Sequence, residues 1–427
     1  MVNDLLKKLK ATFCSIPDHR RSNSSYALGD TLMAAFAMFH LKDESLLSFR
    51  DKFDSRKENL ARVYGVKDIC EDTALRKSLD GIETSRLKQC FKILLNEAEE
   101  ANLLEDKLVL SKYLAISIDG TGYYCSSSKS CKHCLTKKLT SGKQLNHHQL
   151  LASSIVHPDQ STVFPVYCEP IVQQDGAQKN DCERNACKRL LPSIRELLPE
   201  SKFSNIIVLL DGLYADGPTI KALQMQGMNF ITTIKEGYVL IQAEALNRKN
   251  ELKEHQWQQE NTICKVKFSE NLVLNGANQD ILVNYIEFQQ IDAKTGKVLY
   301  ANTWITDLPI TVDIIPQLVK LGRARWKIEN ETFNTLKKQG YHLEHDYGHG
   351  ENYLCSNFAI LMFIAFLLDQ IAQAADTTFI KAMKKFKTKK AFWEAIRSIF
   401  YTIPIMSMNT IYKIIAKEAI LDIQIRE

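Results

Sequence analysis

The sequence has no apolar run long enough to cross a bilayer. The longest, Phe358 to Leu368, is eleven residues and reads as a buried helix. There is also no strong excess of charge of one sign: 55 Lys and Arg face 50 Asp and Glu, a formal charge of +5. Net charge alone therefore cannot attract a polyanion, and only a local basic patch would serve. No internal repeat and no low-complexity segment is visible, which leaves solenoids and biased disordered tracts aside. A paired cysteine framework is missing as well, because eleven Cys is an odd number and most stand in apolar or helical contexts. With no signal peptide at the start, a reduced, cytoplasmic protein with no membrane partner is expected.

What is present is ordinary for a globular chain. At 427 residues, 45% hydrophobic and 25% charged, it has room for two or three domains. Lysines 381, 384, 385, 387, 389 and 390 put six positive charges into ten residues, and Lys7, Lys8, Lys10, His19, Arg20 and Arg21 add basic points near the other end. Such runs suit a polyanion and equally describe a solvated face.

Residues 1–108 read as helical, with a core helix over Thr31 to Leu41 and an amphipathic one over Ser85 to Ala101. The pattern changes at Tyr113. Leu114 to Ile118 is a short apolar strand expected to end at Asp119-Gly120, and Leu150 to His157 and Thr162 to Cys168 are two more. A helix over Asp181 to Leu198, a strand over Ile206 to Leu210 ending in Asp211-Gly212, a helix from Pro218 and a strand near Phe230 complete a mixed α/β pattern. From Gly237 to Asp307 alternating strands separated by Asn275-Gly276 and Thr295-Gly296 turns form a β-rich insertion. The chain after Gly350 reads as helical.

One stretch stands out, Arg323 to Gly350. It is expected to be one helix capped near Gly340, with Trp326, Glu329, Phe333 and Leu336 on one face. Glu329 places a carboxylate in that stripe, which is costly unless it is paired or binds a cation. Glu331 points the other way and reads as a solvated surface residue. Arg325 lies one turn before Glu329, so a metal ligand in a basic groove and an internal ion pair are both open. Asp119 and Asp211 each follow an apolar strand. Either alone is an ordinary turn signal, but three carboxylates meeting at one point would need cations between them, as in two-metal phosphodiester chemistry.

Cys131-Lys132-His133-Cys134, with Cys125 before it and His147-His148 after it, offers a structural Zn²⁺ set of Cys125, Cys131, Cys134 and His147. Other Cys such as Cys90 and Cys355 read as small core residues. Asp181-Cys182-Glu183, at the start of a helix, reads either as support for an active site or as acidic residues complementing the helix N-terminus.

Strand–Asp119, strand–Asp211, a β-rich insertion and then Arg325-Trp326-Lys327-Ile328-Glu329-Asn330 resemble the DDE transposases of bacterial insertion sequences. The group is the cut-and-paste one with an RNase H-like catalytic domain. Ile16 to Arg21, Asp181 to Glu183, Tyr341 to His345 and Gly348 to Gly350 are similar to further segments of such enzymes. The family's Tyr-Arg-Glu-Lys motif is met at Arg325 and Glu329, but its Tyr position holds Gly322, and its Lys position holds Leu336, one short of Lys337. The resemblance implies an RNase H-like mixed sheet over 109–236 and 308–350, a β-rich insertion over 237–307, and flanking helical regions over 1–108 and 351–427. It implies that Asp119, Asp211 and Glu329 hold two Mg²⁺ or Mn²⁺ ions, and that Arg325 and Lys337 contact phosphates. Lys327 and the lysine run including Lys384 and Lys385 would hold flanking DNA. The DNA would be double-stranded terminal inverted repeats and target, bound by a homodimer in the bacterial, nucleoid-associated cytoplasm. It further implies second-strand cleavage through a hairpin, with an insertion aromatic stacked on a flipped base. Trp257 is the expected one, because its polar surroundings offer no evident core, whereas Trp304 reads as core. The rival functions are an RNase H-like nuclease without strand transfer and an inactive DNA-binding remnant.

Overall fold

Two apolar runs set the middle of the molecule. Leu114 to Ile118 and Ile206 to Leu210 are buried at every position, the pattern of strands covered on both faces. The computed structural model describes residues 1–22, 24–172, 182–198, 203–234 and 237–419. Among them eleven strands form one mixed sheet. They are β1 (Leu108–Val109), β2 (Tyr113–Ser126), β3 (Leu135–Lys138), β4 (Gln144–His157), β5 (Gln160–Ile171), β6 (Ile206–Leu210), β7 (Asn229–Thr233), β8 (Lys253–Gln259), β9 (Thr262–Asn275), β10 (Asn278–Asp292) and β11 (Val298–Thr306). The order is β3-β4-β2-β6-β7-β11-β10-β9-β8, with β1 on β2 and β5 on β4. β2, β6 and β7 run parallel, and the pairing of β2 with β4 and of β11 with β7 is antiparallel.

Three details depart from the reading of the sequence or add to it. β2 does not end at Asp119. Its parallel pairing with β6 stops at Ser117, while its antiparallel pairing with β4 continues to Ser126. The β-rich segment adds to the same sheet, a point on which the sequence is silent, because β11 returns to pair with β7, Trp304 facing Thr233, and carries β10, β9 and β8 outward. The helix around Glu329 is in three pieces: Ile315–Ala324, a π-helical turn over Ile328–Phe333, and Asn334–Lys338. Pro316 sits in its first turn, where a missing N–H costs nothing, and Gly340 follows its end at φ 107°. The π turn adds a residue to the helical repeat. Trp326 is accordingly 49% exposed, whereas Phe333 and Leu336 are buried as expected.

The helix Leu354–Ala375 runs through the middle of the structure. By length and composition it could cross a membrane, but its apolar window is wholly buried inside the protein. Polar side chains key it on both sides. Asn357 Nδ2 donates to the carbonyls of Leu79 and Ile82, both at 2.8 Å, and Gln370 Oε1 accepts from the Val163 N–H of β5 at 3.1 Å. Asp369 is buried against Lys42, and His40 Nε2 lies 3.3 Å from it. Tyr341 also donates to Asp369, and the Lys42 ammonium lies 3.9 Å from the Trp393 ring centre. A buried pair of this kind adds little net stability, but removing one partner strands the other charge. Asp369→Ala should therefore cost about 3–5 kcal/mol in urea unfolding. The double change Asp369→Leu with Lys42→Met should cost less than Asp369→Ala alone, and a cost at least as large would mean that the charges are not coupled.

Candidate active site

The strand register makes the first contact between distant residues. Ser117 of β2 and Leu209 of β6 are the last parallel pair, and Asp119 and Asp211 each lie two residues beyond it. Burial raises the Tyr214 hydroxyl most, and both carboxylates push it the same way, so they lie on one rim of the sheet. Asp211 caps the short turn Gly212–Tyr214, its Oδ1 accepting from the Leu213 N–H at 2.8 Å.

Arg325 joins this rim to Glu329. Its Nη1 donates to Asp119 Oδ2 at 3.1 Å and to Glu329 Oε1 at 3.2 Å. Ser117 and Asp119, two residues apart on one face of β2, grip it twice, because Ser117 Oγ also donates to the Arg325 carbonyl at 2.8 Å. The π turn is held from below by Ser154 of β4, whose hydroxyl lies 3.1 Å from that of Thr332. Burial holds the Asp119 carboxyl well above the usual carboxylate range. The hydrogen bond it shares with Glu329 pushes the same way, and Arg325 opposes both. Two half-buried carboxylates around one guanidinium make a site that favours positive charge.

Glu183 belongs to the same cluster. Tyr214 donates to its Oε2 at 3.3 Å, and burial, then the nearby Asp211, raises its carboxyl. It approaches so closely because residue 120 is Gly: a Cβ there would sit 2.4 Å from Glu183 Oε1. Asp181 lies outside the described residues. Glu183 is the first residue of the helix Glu183–Leu197, as the helix-terminus reading has it, and it also lies against Gly120 and Tyr214.

The other expected residues divide between two clefts. Trp257, Lys327, Lys320 and Arg323 line one of about 600 Å³ that also takes in Trp326 and Glu331. Trp257 is partly buried and stacks on Phe288 at 6.0 Å and on His255 at 5.7 Å, so it joins an aromatic row that its polar neighbours in sequence do not show. Lys327 donates to the Gln160 carbonyl at 2.7 Å. Lys337 lies in a second cleft with Tyr124, Lys137 and His147, paired to Glu344 at 2.8 Å. Lys384 and Lys385 are exposed in the turn after the helix Thr377–Met383.

The zinc set needs correction. The atoms that meet belong to Cys131, Cys134, His148 and His349. Cys125 is exposed, and His147 lies opposite it across the β2–β4 pair. Successive residues of a strand point to opposite faces, so it is His148 that turns inward. Spacing alone could not have found His349. Its only signal was the Gly348-His349-Gly350 segment.

Gly322 explains the departure from the family motif. A Cβ there would come within 2.5 Å of the Trp304 ring, which fills the space that a side chain at 322 would need.

Residues 111–368 match the family model described as the transposase DDE domain. No curated protein matches the chain. Among solved structures, the piggyBac transposase synaptic complex with hairpin DNA aligns at 12% identity, over 98% of this chain and 80% of that one, with a TM-score of 0.42.

The packing of Trp304 on Gly322 is directly testable. Gly322→Ala should destabilise the fold by about 1–3 kcal/mol, the usual cost of overfilling a packed site. An unchanged urea midpoint would show that Trp304 has room to move.

Proposed function

The chain belongs to the transposase DDE domain family, and on that premise we propose that Asp119, Asp211 and Glu329 are its three catalytic carboxylates. It is a DNA transposase, an enzyme of DNA cleavage and strand transfer that depends on a divalent cation. The observation that carries the residue assignment is the Arg325 bridge between Asp119 and Glu329, with Asp119 and Asp211 both acting on Tyr214.

The donor set fits Mg²⁺ or Mn²⁺, because hard oxygen ligands gather where a guanidinium now balances them. Asp119, Asp211 and Glu329 would hold two such ions. When bound, these supply an activated water and charge stabilisation at the leaving oxygen. Arg325, released from the carboxylates, would swing to a phosphate beside the scissile bond. Glu183 and Tyr214 would hold the Asp211 side of the site in place. Lys337 in one cleft, and Lys327, Lys320 and Arg323 in the other, would take the phosphates on either side of the cut. Lys384 and Lys385 would add sequence-independent attraction. The substrates on this reading are a transposon's terminal inverted repeats and a target duplex, brought together by a homodimer, as in the insertion-sequence enzymes that the motifs resemble.

Asp119→Ala, Asp211→Ala and Glu329→Ala should each reduce cleavage of a labelled transposon end to background while leaving its binding in gel shift unchanged. Glu331→Ala, on the Trp257 side of the helix, should cleave within a few-fold of wild type. Given a pre-cut end, the wild type should join it to target DNA; cutting without joining would make the protein a nuclease. Activity in Glu329→Ala with loss in Glu331→Ala would reverse the assignment of the two glutamates.

Trp257 faces the cleft beside the π turn, where its ring could take the place of a base's stacking neighbour after flipping. Trp257→Ala should nick at the wild-type rate but accumulate less hairpin. Normal hairpin yield in this variant would return Trp257 to packing on Phe288.

A further inference from the structure

The four side chains Cys131, Cys134, His148 and His349 come from three distant places in the chain and point one atom each at a common centre. Cys131 and Cys134 flank a tight turn in which the Cys134 N–H donates to the Cys131 carbonyl at 3.2 Å. His148 stands on β4 beside the Tyr123 ring. His349 comes from the segment after the Glu329 helix and is stacked on Tyr124 at 4.6 Å and 27°.

Five of the six distances among the four atoms are close to those of a coordination shell, and all four atoms lie within 4.8 Å of one another. A tetrahedral Zn²⁺ has Zn–S near 2.3 Å and Zn–N near 2.0–2.1 Å, which places its ligand atoms about 3.8 Å (S to S), about 3.6 Å (S to N) and about 3.3 Å (N to N) apart. Here the two Sγ atoms are 3.8 Å apart, and His148 Nε2 is 3.4 Å from each of them. His349 Nε2 is 3.2 Å from Cys134 Sγ and 3.1 Å from His148 Nε2. Hydrogen bonding alone gives no reason for two imidazoles to aim the same nitrogen at each other and at the same sulfur. A metal at the centre does.

We propose that Cys131, Cys134, His148 and His349 bind one structural Zn²⁺, separate from the carboxylate site and beyond the DNA chemistry assigned to it. Two thiolates and two imidazoles, with no carboxylate among them, select zinc over magnesium or calcium. Four protein ligands close the shell, so the ion has no open position for catalysis. It clamps the lysine-rich hairpin around β3 to β4 and to the segment that follows Lys337. Beside the clamp, Lys132 lies over the Tyr353 ring, and Lys129 pairs with Asp346 at 2.7 Å. The same hairpin carries Lys137, which lines the Lys337 cleft. Metal binding thus fixes one wall of that cleft.

The test is metal analysis of the full-length protein purified without chelator. Wild type should carry about one zinc per chain, and Cys131→Ser or His349→Ala should fall to about a tenth of that or less, since four ligands define the site. Cys125→Ser and His147→Ala should keep their zinc. In case the ligand variants fail to fold, wild type exchanged with Co²⁺ gives an independent reading. It should show the intense visible bands of a tetrahedral site together with thiolate-to-cobalt charge transfer. Protein that retains no zinc and takes up no Co²⁺ would overturn the proposal. So would a Co²⁺ spectrum without thiolate charge transfer, or a Cys131–Cys134 disulfide under reducing purification. None of these results depends on the carboxylates, so failure here leaves the transposase reading standing.

Discussion

Everything at the rim of the sheet depends on one guanidinium. Asp119 and Glu329 are carboxylates from residues more than two hundred positions apart, and they approach because Arg325 Nη1 lies between them. Even with that positive group in place, burial and the hydrogen bond shared with Glu329 hold the Asp119 carboxyl well above the usual carboxylate range. On the proposed function, the same geometry would act as a switch. Divalent cations entering the rim would replace Arg325 as the balancing charge and free it for a phosphate.

The rim is rigid because of what lies behind it. β2 is paired on both sides, parallel to β6 and antiparallel to β4. The buried helix Leu354–Ala375 locks the N-terminal helices to β5 through Asn357, Asp369 and Gln370. Chemistry on DNA needs ligand positions held within fractions of an ångström. A strand in the middle of the sheet can hold Asp119 so, and a free loop cannot. The π turn at Glu329 fits the same logic, since a locally unwound helix re-aims a side chain that a regular one would direct elsewhere.

Much of this was legible in the residues. The two apolar runs before Asp119 and Asp211 identified the central strands, and the carboxylate in a partly apolar helix drew attention to Glu329, which the structure places with Asp119 on Arg325. What escaped did so for physical reasons. β8, reading Lys253 to Gln259, is an edge strand with most side chains in solvent, so it shows no alternation of polar and apolar residues. The π turn adds a residue to the repeat with no signature in composition, and Trp326 was therefore assigned to a buried face. Glu183 does open its helix, but its second place, against Gly120, is visible only in the fold. His148 and His349 could not be told from His147 by spacing, because the choice depends on strand phase and on a contact across 201 residues.

The central claim is that the Arg325-bridged carboxylates form a metal-dependent catalytic centre. The most direct measurement is an anomalous difference map from crystals of the full-length protein soaked in Mn²⁺. The account predicts peaks among Asp119, Asp211 and Glu329, with Arg325 withdrawn from both of its partners. Mn²⁺ bound elsewhere on the protein, with the Arg325 bridge intact and no peak at the rim, would contradict it.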